Sequence, residues 1–99
     1  MHEFDYYVYI VKCSDNSYYT GITNDITRRV YEHNEGKDPT SYTYSRRPLE
    51  LVYTSHFTDV NEAISWEKHV KKWRRKKKEA LISGQYELLP DLAKKGFKK

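Results

Sequence analysis

Tyr6-Tyr7-Val8-Tyr9-Ile10-Val11 is an unbroken run of aromatic and β-branched residues near the start of the chain. Side chains of these types favour a β-strand because they pack well on a pleated, half-buried surface. A turn is predicted next, at Ser14-Asp15-Asn16-Ser17, and a second strand from Tyr18 to Thr23. The two strands therefore form a hairpin against which the rest of the chain must pack.

The loop of this hairpin determines which side chains share a face of the sheet, because side chains alternate between the two faces along a strand. A four-residue loop pairs Cys13 with Tyr18 and places Tyr9 and Tyr19 on opposite faces. An odd loop length or a β-bulge is needed to bring both tyrosines to one face.

A helix is predicted directly after the hairpin. Asn24 or Asp25 can cap its N-terminus, and the apolar spacing carries it from Ile26 to about Asn34. Gly36 is placed to end it, since glycine readily adopts the left-handed conformation found at helix C-termini.

A loop and a third strand follow this helix. The stretch from Asp38 to Pro48 is polar and contains two prolines, so it is predicted to be a loop or a short helical turn. A strand is predicted from Leu49 to Phe57. On one side of this strand lie Leu51, Tyr53 and Phe57.

The remaining elements are helical. Thr58 or Asp59 caps a helix that runs to about Trp73, and a further helical stretch, separate from it or continuous with it, reaches Ile82. The order is therefore β-β-α-β-α with an additional helical segment. This order predicts an α+β fold in which helices flank a small antiparallel sheet of three strands.

The composition fits one small intracellular domain. The 99 residues are 37% hydrophobic and 15% aromatic, so we expect one domain over residues 1–83, followed by a polar, basic C-terminal tail at 84–99. The single Cys13 cannot form an internal disulfide and is interpreted as a half-buried strand thiol, which fits a reducing compartment. There is no apolar run long enough to cross a membrane, and we expect a cytoplasmic protein.

The positive charge is concentrated in one segment. The formal net charge is +4, and eight of the 18 lysines and arginines lie between Lys68 and Lys78. Such a cluster suits a polyanion such as nucleic acid, although a solvated helix face has the same composition. The candidate phosphate contacts are Lys68, Lys71, Lys72, Arg74, Arg75, Arg46 and Arg47.

The first helix carries two polar residues on its inward face. Ile26, Val30 and His33 are spaced to face the core, and Arg29 falls on the same face and is the i, i+4 neighbour of His33. The aliphatic part of Arg29 could pack on the core while its guanidinium reaches water. The alternative is a functional pair of a guanidinium and an imidazole.

The second helix carries a carboxylate within its apolar stripe. Val60, Ala63, Ile64 and Val70 define this stripe, and Glu67 lies in the middle of it. A carboxylate rarely faces inward unless it is paired or bound to a metal. The sequence leaves both a structural ion pair and a metal ligand open.

Taken together, these residues resemble the GIY-YIG nuclease superfamily, and in particular its small stand-alone bacterial members. The resemblance extends from Tyr6 to Ile82. It rests on five elements in order, which are Tyr7-Val8-Tyr9, Tyr19-Thr20-Gly21, Arg29, His33 and Glu67.

The resemblance implies a role for each matched residue. Tyr19 matches a general base that takes a proton from the attacking water, and Tyr9 matches a tyrosine that lines the site. Arg29 matches the arginine that neutralises charge on the scissile phosphate. His33 matches a histidine that assists proton transfer or orients a tyrosine, and Glu67 matches the carboxylate that holds one Mg²⁺ or Mn²⁺ ion.

Three functions are consistent with the sequence. The first is a structure-tolerant, metal-dependent endonuclease that acts on the DNA backbone, of the kind used in repair or recombination. The second is a nucleic-acid-binding module that has the nuclease fold but weak or no catalysis. The third is a protein-interaction domain that uses the basic helix. We expect a monomer with DNA as its partner and no small-molecule cofactor.

Overall fold

The computed structural model describes residues 4–85, and it confirms the α+β order expected from the sequence. The expected domain ends at 83, and most of the proposed tail at 84–99 lies outside the described residues. The strands are β1 (Tyr6–Lys12), β2 (Tyr18–Thr23) and β3 (Glu50–Phe57), and the helices are α1 (Ile26–Glu35), α2 (Val60–Lys71) and α3 (Arg75–Ser83), with one 3-10 turn at Tyr44–Arg46.

The sheet has the strand order β2-β1-β3, and both pairings are antiparallel. The central strand β1 is buried on both faces, and its residues 8–11 are at most 1% exposed. One face, which we call the α1 face, packs a cluster of Tyr9, Val11, Cys13, Leu49, Tyr19 and Ile26. The opposite α2 face packs Ile10 against Val70 and Leu81, together with both tryptophans.

The hairpin loop contains three residues, not four. The Cys13 N–H donates to the Ser17 carbonyl at 2.8 Å, and Asn16 has a positive φ of 70°, a conformation that asparagine tolerates better than most residues. The pairing of Cys13 with Tyr18 was therefore wrong, since Tyr18 pairs with Lys12 and Tyr19 with Val11. This odd loop length places Tyr19 on the α1 face.

An irregularity in the pairing of β1 with β3 changes which side chains of β3 lie on the same side. Ile10 pairs with Tyr53, but Val11 pairs with Leu51, so one residue of β3 is extra at this point. Leu51 therefore faces the side opposite to Tyr53, and the prediction that Leu51, Tyr53 and Phe57 share one side was wrong for Leu51.

The helices begin and end with local hydrogen bonds that the sequence predicts. Asp25 accepts from the Arg28 N–H and caps α1, Gly36 ends α1 with a left-handed φ of 69°, and Asp59 caps α2. A break after Lys71 separates α2 from α3, and no helix within residues 4–85 combines the length and apolar character needed to cross a membrane.

The apolar stripe of α2 is narrower than predicted. Ala63 and Val70 are fully buried, but Val60 and Ile64 are 38% and 39% exposed. Trp66 packs on the core instead. Cys13 also departs from expectation, because it is buried and lies one residue beyond the end of β1.

Thr20 leads to a stability prediction. It pairs with Ile10 on the α2 face, is 3% exposed, and its hydroxyl has no hydrogen-bond partner within residues 4–85. A buried polar group without a partner destabilises the fold, so Thr20→Val should raise the free energy of unfolding by about 1 kcal/mol. Urea denaturation measures this change, with the exposed Thr54→Val as the control. An unchanged or lower stability for Thr20→Val would show that the hydroxyl has a partner.

Candidate active site

Tyr9 is the centre of the candidate site. It projects from the central strand onto the α1 face, is 1% exposed, and its ring crosses the neighbouring strand over Gly21. A Cβ atom at Gly21 would lie 2.6 Å from Tyr9 Cζ, which is closer than carbon atoms pack. Glycine at position 21 therefore provides the space that the phenol occupies.

A chain of hydrogen bonds leads from the Tyr9 hydroxyl into the protein. Tyr9 Oη lies 2.9 Å from His33 Nε2, His33 Nδ1 lies 2.9 Å from Thr43 Oγ1, and Thr43 Oγ1 lies 2.9 Å from Ser41 Oγ. His33 is 5% exposed and Thr43 is 1% exposed. The network is therefore largely shielded from water, which strengthens each of its hydrogen bonds.

Arg29 brings a positive charge to the same hydroxyl. It lies one helical turn before His33 on α1, pairs with Glu32 at 3.4 Å, and is within hydrogen-bonding reach of Tyr9. Burial lowers the pKa of Arg29, but the hydrogen bonds to Tyr9 and Glu32 and the nearby phenol charges outweigh it and raise the pKa. The guanidinium is therefore permanently charged and only partly in contact with water.

Burial sets the protonation states of the phenol and the imidazole. It is the largest cause that raises the pKa of Tyr9 to about 12, while Arg29 opposes the shift and the charges of Tyr19 and Glu67 add to it. Burial also lowers the pKa of His33, and the charge of Arg29 lowers it further. Near neutral pH, Tyr9 is therefore a phenol and His33 is a neutral imidazole.

Tyr19 connects this buried network to the surface. Its ring centroid lies 6.4 Å from that of Tyr9 and 5.5 Å from that of His33. On the outer side it stacks with Tyr42 at 6.0 Å, and the Arg46 guanidinium lies 3.8 Å from the Tyr42 ring centroid. Tyr19 is thus the phenol of the pair with access to a ligand.

Glu67 has features of a structural ion pair and of a metal ligand, the two roles that the sequence leaves open. Its side chain is 14% exposed, and its carboxylate lies 3.5 Å from Lys71 Nζ one turn later in α2. Lys71 is 59% exposed, so this ion pair is weak and easily exchanged. The charge of Glu67 also contributes, as the smallest of the causes, to the raised pKa of Tyr9.

The donor set fits one hard cation that is shared with a ligand. Within residues 4–85, no three His, Cys, Asp or Glu side chains are grouped to hold a metal by themselves. Mg²⁺ retains several waters and often takes one or two carboxylates together with phosphate oxygens. Glu67 alone is sufficient under that condition.

Comparison with known proteins assigns the family. Residues 5–80 match the model of the GIY-YIG catalytic domain. The chain belongs to the GIY-YIG family. It is 47% identical to the UPF0213 protein YazA of Bacillus subtilis over 78 residues, which cover 79% of this chain and 78% of YazA.

Two solved structures have the same fold as this GIY-YIG domain. The solution structure of the UPF0213 protein BH0048 from Bacillus halodurans is 47% identical, with a TM-score of 0.53 over 80% of this chain and 83% of that one. The solution structure of EF2693 from E. faecalis is 34% identical, with a TM-score of 0.59 over 86% and 90% of the two chains. Both support the α+β architecture described above.

The seven basic residues predicted to contact phosphate fall into two groups. Five of them lie between the last turn of α2 and the start of α3 and are exposed, and they are Lys68, Lys71, Lys72, Arg74 and Arg75. Within that group, Arg75 lies 3.0 Å from Glu79. Arg46 and Arg47 instead bind the protein, since Arg46 contacts Asp15 at 3.1 Å and Arg47 donates to the Tyr44 carbonyl at 2.7 Å. The second group therefore contributes to the structure of the 38–48 segment.

Sequence reasoning missed three residues beside the site. Ser41, Tyr42 and Thr43 lie in the stretch predicted to be a polar loop or short turn, yet two of them extend the hydrogen-bond chain and the third packs on Tyr19. No periodicity or motif marks them, because Tyr42 and Thr43 contact residues that are distant along the chain and Ser41 acts through Thr43.

The raised pKa of Tyr9 predicts a loss of stability at alkaline pH. The contribution of the neutral phenol is complete below pH 10 and is lost as pH rises to about 12, since the unfolded chain ionises first. The loss should reach about 2 kcal/mol. Urea denaturation at the two ends of this range, compared with Tyr9→Phe, isolates it from the other tyrosines. An identical pH dependence in both proteins would contradict the buried position of the hydroxyl.

Proposed function

We propose that this GIY-YIG domain is a metal-dependent endonuclease that hydrolyses the DNA backbone with little dependence on base sequence. The observation that carries the proposal is the convergence of Arg29 and His33 on the Tyr9 hydroxyl, with Tyr19 in contact and the charge of Glu67 in reach. These groups come from four different elements and match the chemistry of phosphodiester cleavage.

Arg29 neutralises the scissile phosphate in this proposal. Phosphodiester hydrolysis accumulates negative charge in its transition state, and a preorganised cation in a partly water-excluded site stabilises that charge strongly. Arg29 is half-buried and held by Glu32 and Tyr9, so little reorganisation is needed when a phosphate approaches.

The two tyrosines have different tasks. Tyr19 is the more accessible phenol, so it is assigned the proton of the attacking water. Tyr9 is buried and orients Tyr19 through ring contact, while its own hydroxyl is held 2.9 Å from His33 Nε2. A tyrosine takes a proton from water only as the phenolate, and a nearby cation such as Arg29 stabilises that negative charge.

Glu67 holds one Mg²⁺ or Mn²⁺ ion in this proposal. A bound divalent ion supplies positive charge beside the phosphate and favours an ionised nucleophile. The Lys71 ammonium that pairs with Glu67 can turn to a phosphate instead, because the lysine is exposed and the 3.5 Å pair is long.

DNA is the proposed partner because the exposed cations suit a backbone of repeated phosphates. Cations that bind phosphates contribute affinity without reading sequence. The monomeric state and the independence from a small-molecule cofactor remain predictions.

A second function is favoured by the Glu67–Lys71 ion pair. If that pair persists when DNA binds, the carboxylate holds no metal, and the domain is a nucleic-acid-binding module that retains the nuclease fold.

Removing the carboxylate should separate the two functions. Glu67→Gln is expected to lower the rate of Mg²⁺- or Mn²⁺-dependent nicking of supercoiled DNA by roughly a hundredfold or more, and Arg29→Ala by a similar factor. The exposed Glu62→Gln in the same helix is the matched control and should retain full activity. Wild-type nicking that survives Glu67→Gln would exclude this mechanism, and DNA binding without any nicking would favour the second function.

The basic cluster is tested by salt dependence. Lys68→Gln and Lys72→Gln should each weaken DNA binding and reduce the slope of log affinity against log salt by roughly one. Fluorescence anisotropy of a labelled duplex measures both quantities. Lys37→Gln changes the charge equally at an exposed site after α1 and should leave the slope unchanged. Equal slopes in all four proteins would place the DNA elsewhere.

A further inference from the structure

We propose that Thr43 is a positioning residue that holds His33 in a single tautomer, with the proton on Nδ1, so that Nε2 accepts from Tyr9. Its catalytic meaning rests on the proposed function, but the tautomer itself does not. The inference starts from the hydrogen-bond chain that links four side chains on the α1 face.

The burial of the Tyr9 hydroxyl sets the direction of this chain. Tyr9 is 1% exposed, so its hydroxyl proton needs an acceptor inside the protein. The nearby Arg29 guanidinium has N–H donors and no acceptor, so it cannot take this proton. His33 Nε2 lies 2.9 Å away and is the acceptor that the structure offers.

The donor and acceptor roles at Nε2 determine those at Nδ1, which faces Thr43. A neutral imidazole with an unprotonated Nε2 carries its proton on Nδ1. Nδ1 therefore donates to Thr43 Oγ1 at 2.9 Å. In the opposite arrangement, Nε2–H would donate to Tyr9 Oη, and the hydroxyl proton of a residue that is 1% exposed would lose the acceptor that the structure gives it.

Thr43 is held rigidly enough for this task. It is 1% exposed, its N–H donates to Ser41 Oγ at 3.2 Å, and its carbonyl accepts from the Arg46 N–H at 3.0 Å. Its hydroxyl lies 2.9 Å from Ser41 Oγ, so the acceptor offered to His33 has a fixed place. The intervening Tyr42 stacks on Tyr19, and one short segment thus fixes both proton-handling groups.

The tautomer can be measured without DNA or metal. Long-range ¹H–¹⁵N correlation spectra of the ¹⁵N-labelled full chain distinguish protonated from unprotonated ring nitrogens. We expect wild-type and Thr43→Ser proteins to show His33 with Nδ1 protonated. Thr43→Val removes the acceptor, so the Nδ1–H form should lose its predominance. The exposed Thr40→Val in the same loop should leave the spectrum unchanged.

Two results would overturn the proposal. One is an Nε2–H tautomer in the wild-type protein, and the other is an unchanged His33 spectrum in folded Thr43→Val. If Thr43→Val does not fold, the wild-type and Thr43→Ser spectra still decide the tautomer.

Kinetic measurements test the proposed role of Thr43 in catalysis separately. With nicking activity present, Thr43→Val should lower kcat roughly tenfold, move the acidic limb of the pH profile and leave KM nearly unchanged, while Thr43→Ser restores all three. Loss of the tautomer with an unchanged pH profile would refute the role in catalysis. If the wild-type protein does not nick DNA, the proposed function fails while the tautomer result stands.

Discussion

Much of this structure depends on the burial of one phenolic hydroxyl, that of Tyr9. Tyr9 lies on the strand that is covered from both sides, and its ring needs the space that glycine leaves on the neighbouring strand. A buried hydroxyl must have partners, and α1 supplies them from consecutive turns as Arg29 and His33. The requirement for partners thus joins the sheet, the first helix and the 38–48 segment into one unit.

The sequence predicted those features that follow from local chemistry. The order of elements, the caps at Asp25 and Asp59 and the shared helical face of Arg29 and His33 follow from propensity and from 3.6-residue periodicity. Features that depend on one unusual backbone position were missed. The left-handed Asn16 shortens the hairpin loop, the extra residue in β3 turns Leu51 away, and Thr43 has no local signature at all.

Glu67 shows how a helix can keep a largely buried carboxylate available. A fully buried, unpaired carboxylate would be costly, and one in a strong buried pair would be unavailable. Pairing with a largely exposed lysine one turn away avoids both extremes. The same lysine belongs to the exposed basic group, so in the proposed function a bound polyanion would compete for it and release the carboxylate.

The odd number of residues in the hairpin turn has an evolutionary consequence. Because side chains alternate along a strand, the number of residues in the exposed turn determines on which face of the sheet Tyr19 lies. A single insertion or deletion there would rotate the phenol to the tryptophan side of the sheet, whereas changes of two residues preserve its orientation. We therefore expect this turn to tolerate changes of two residues better than changes of one.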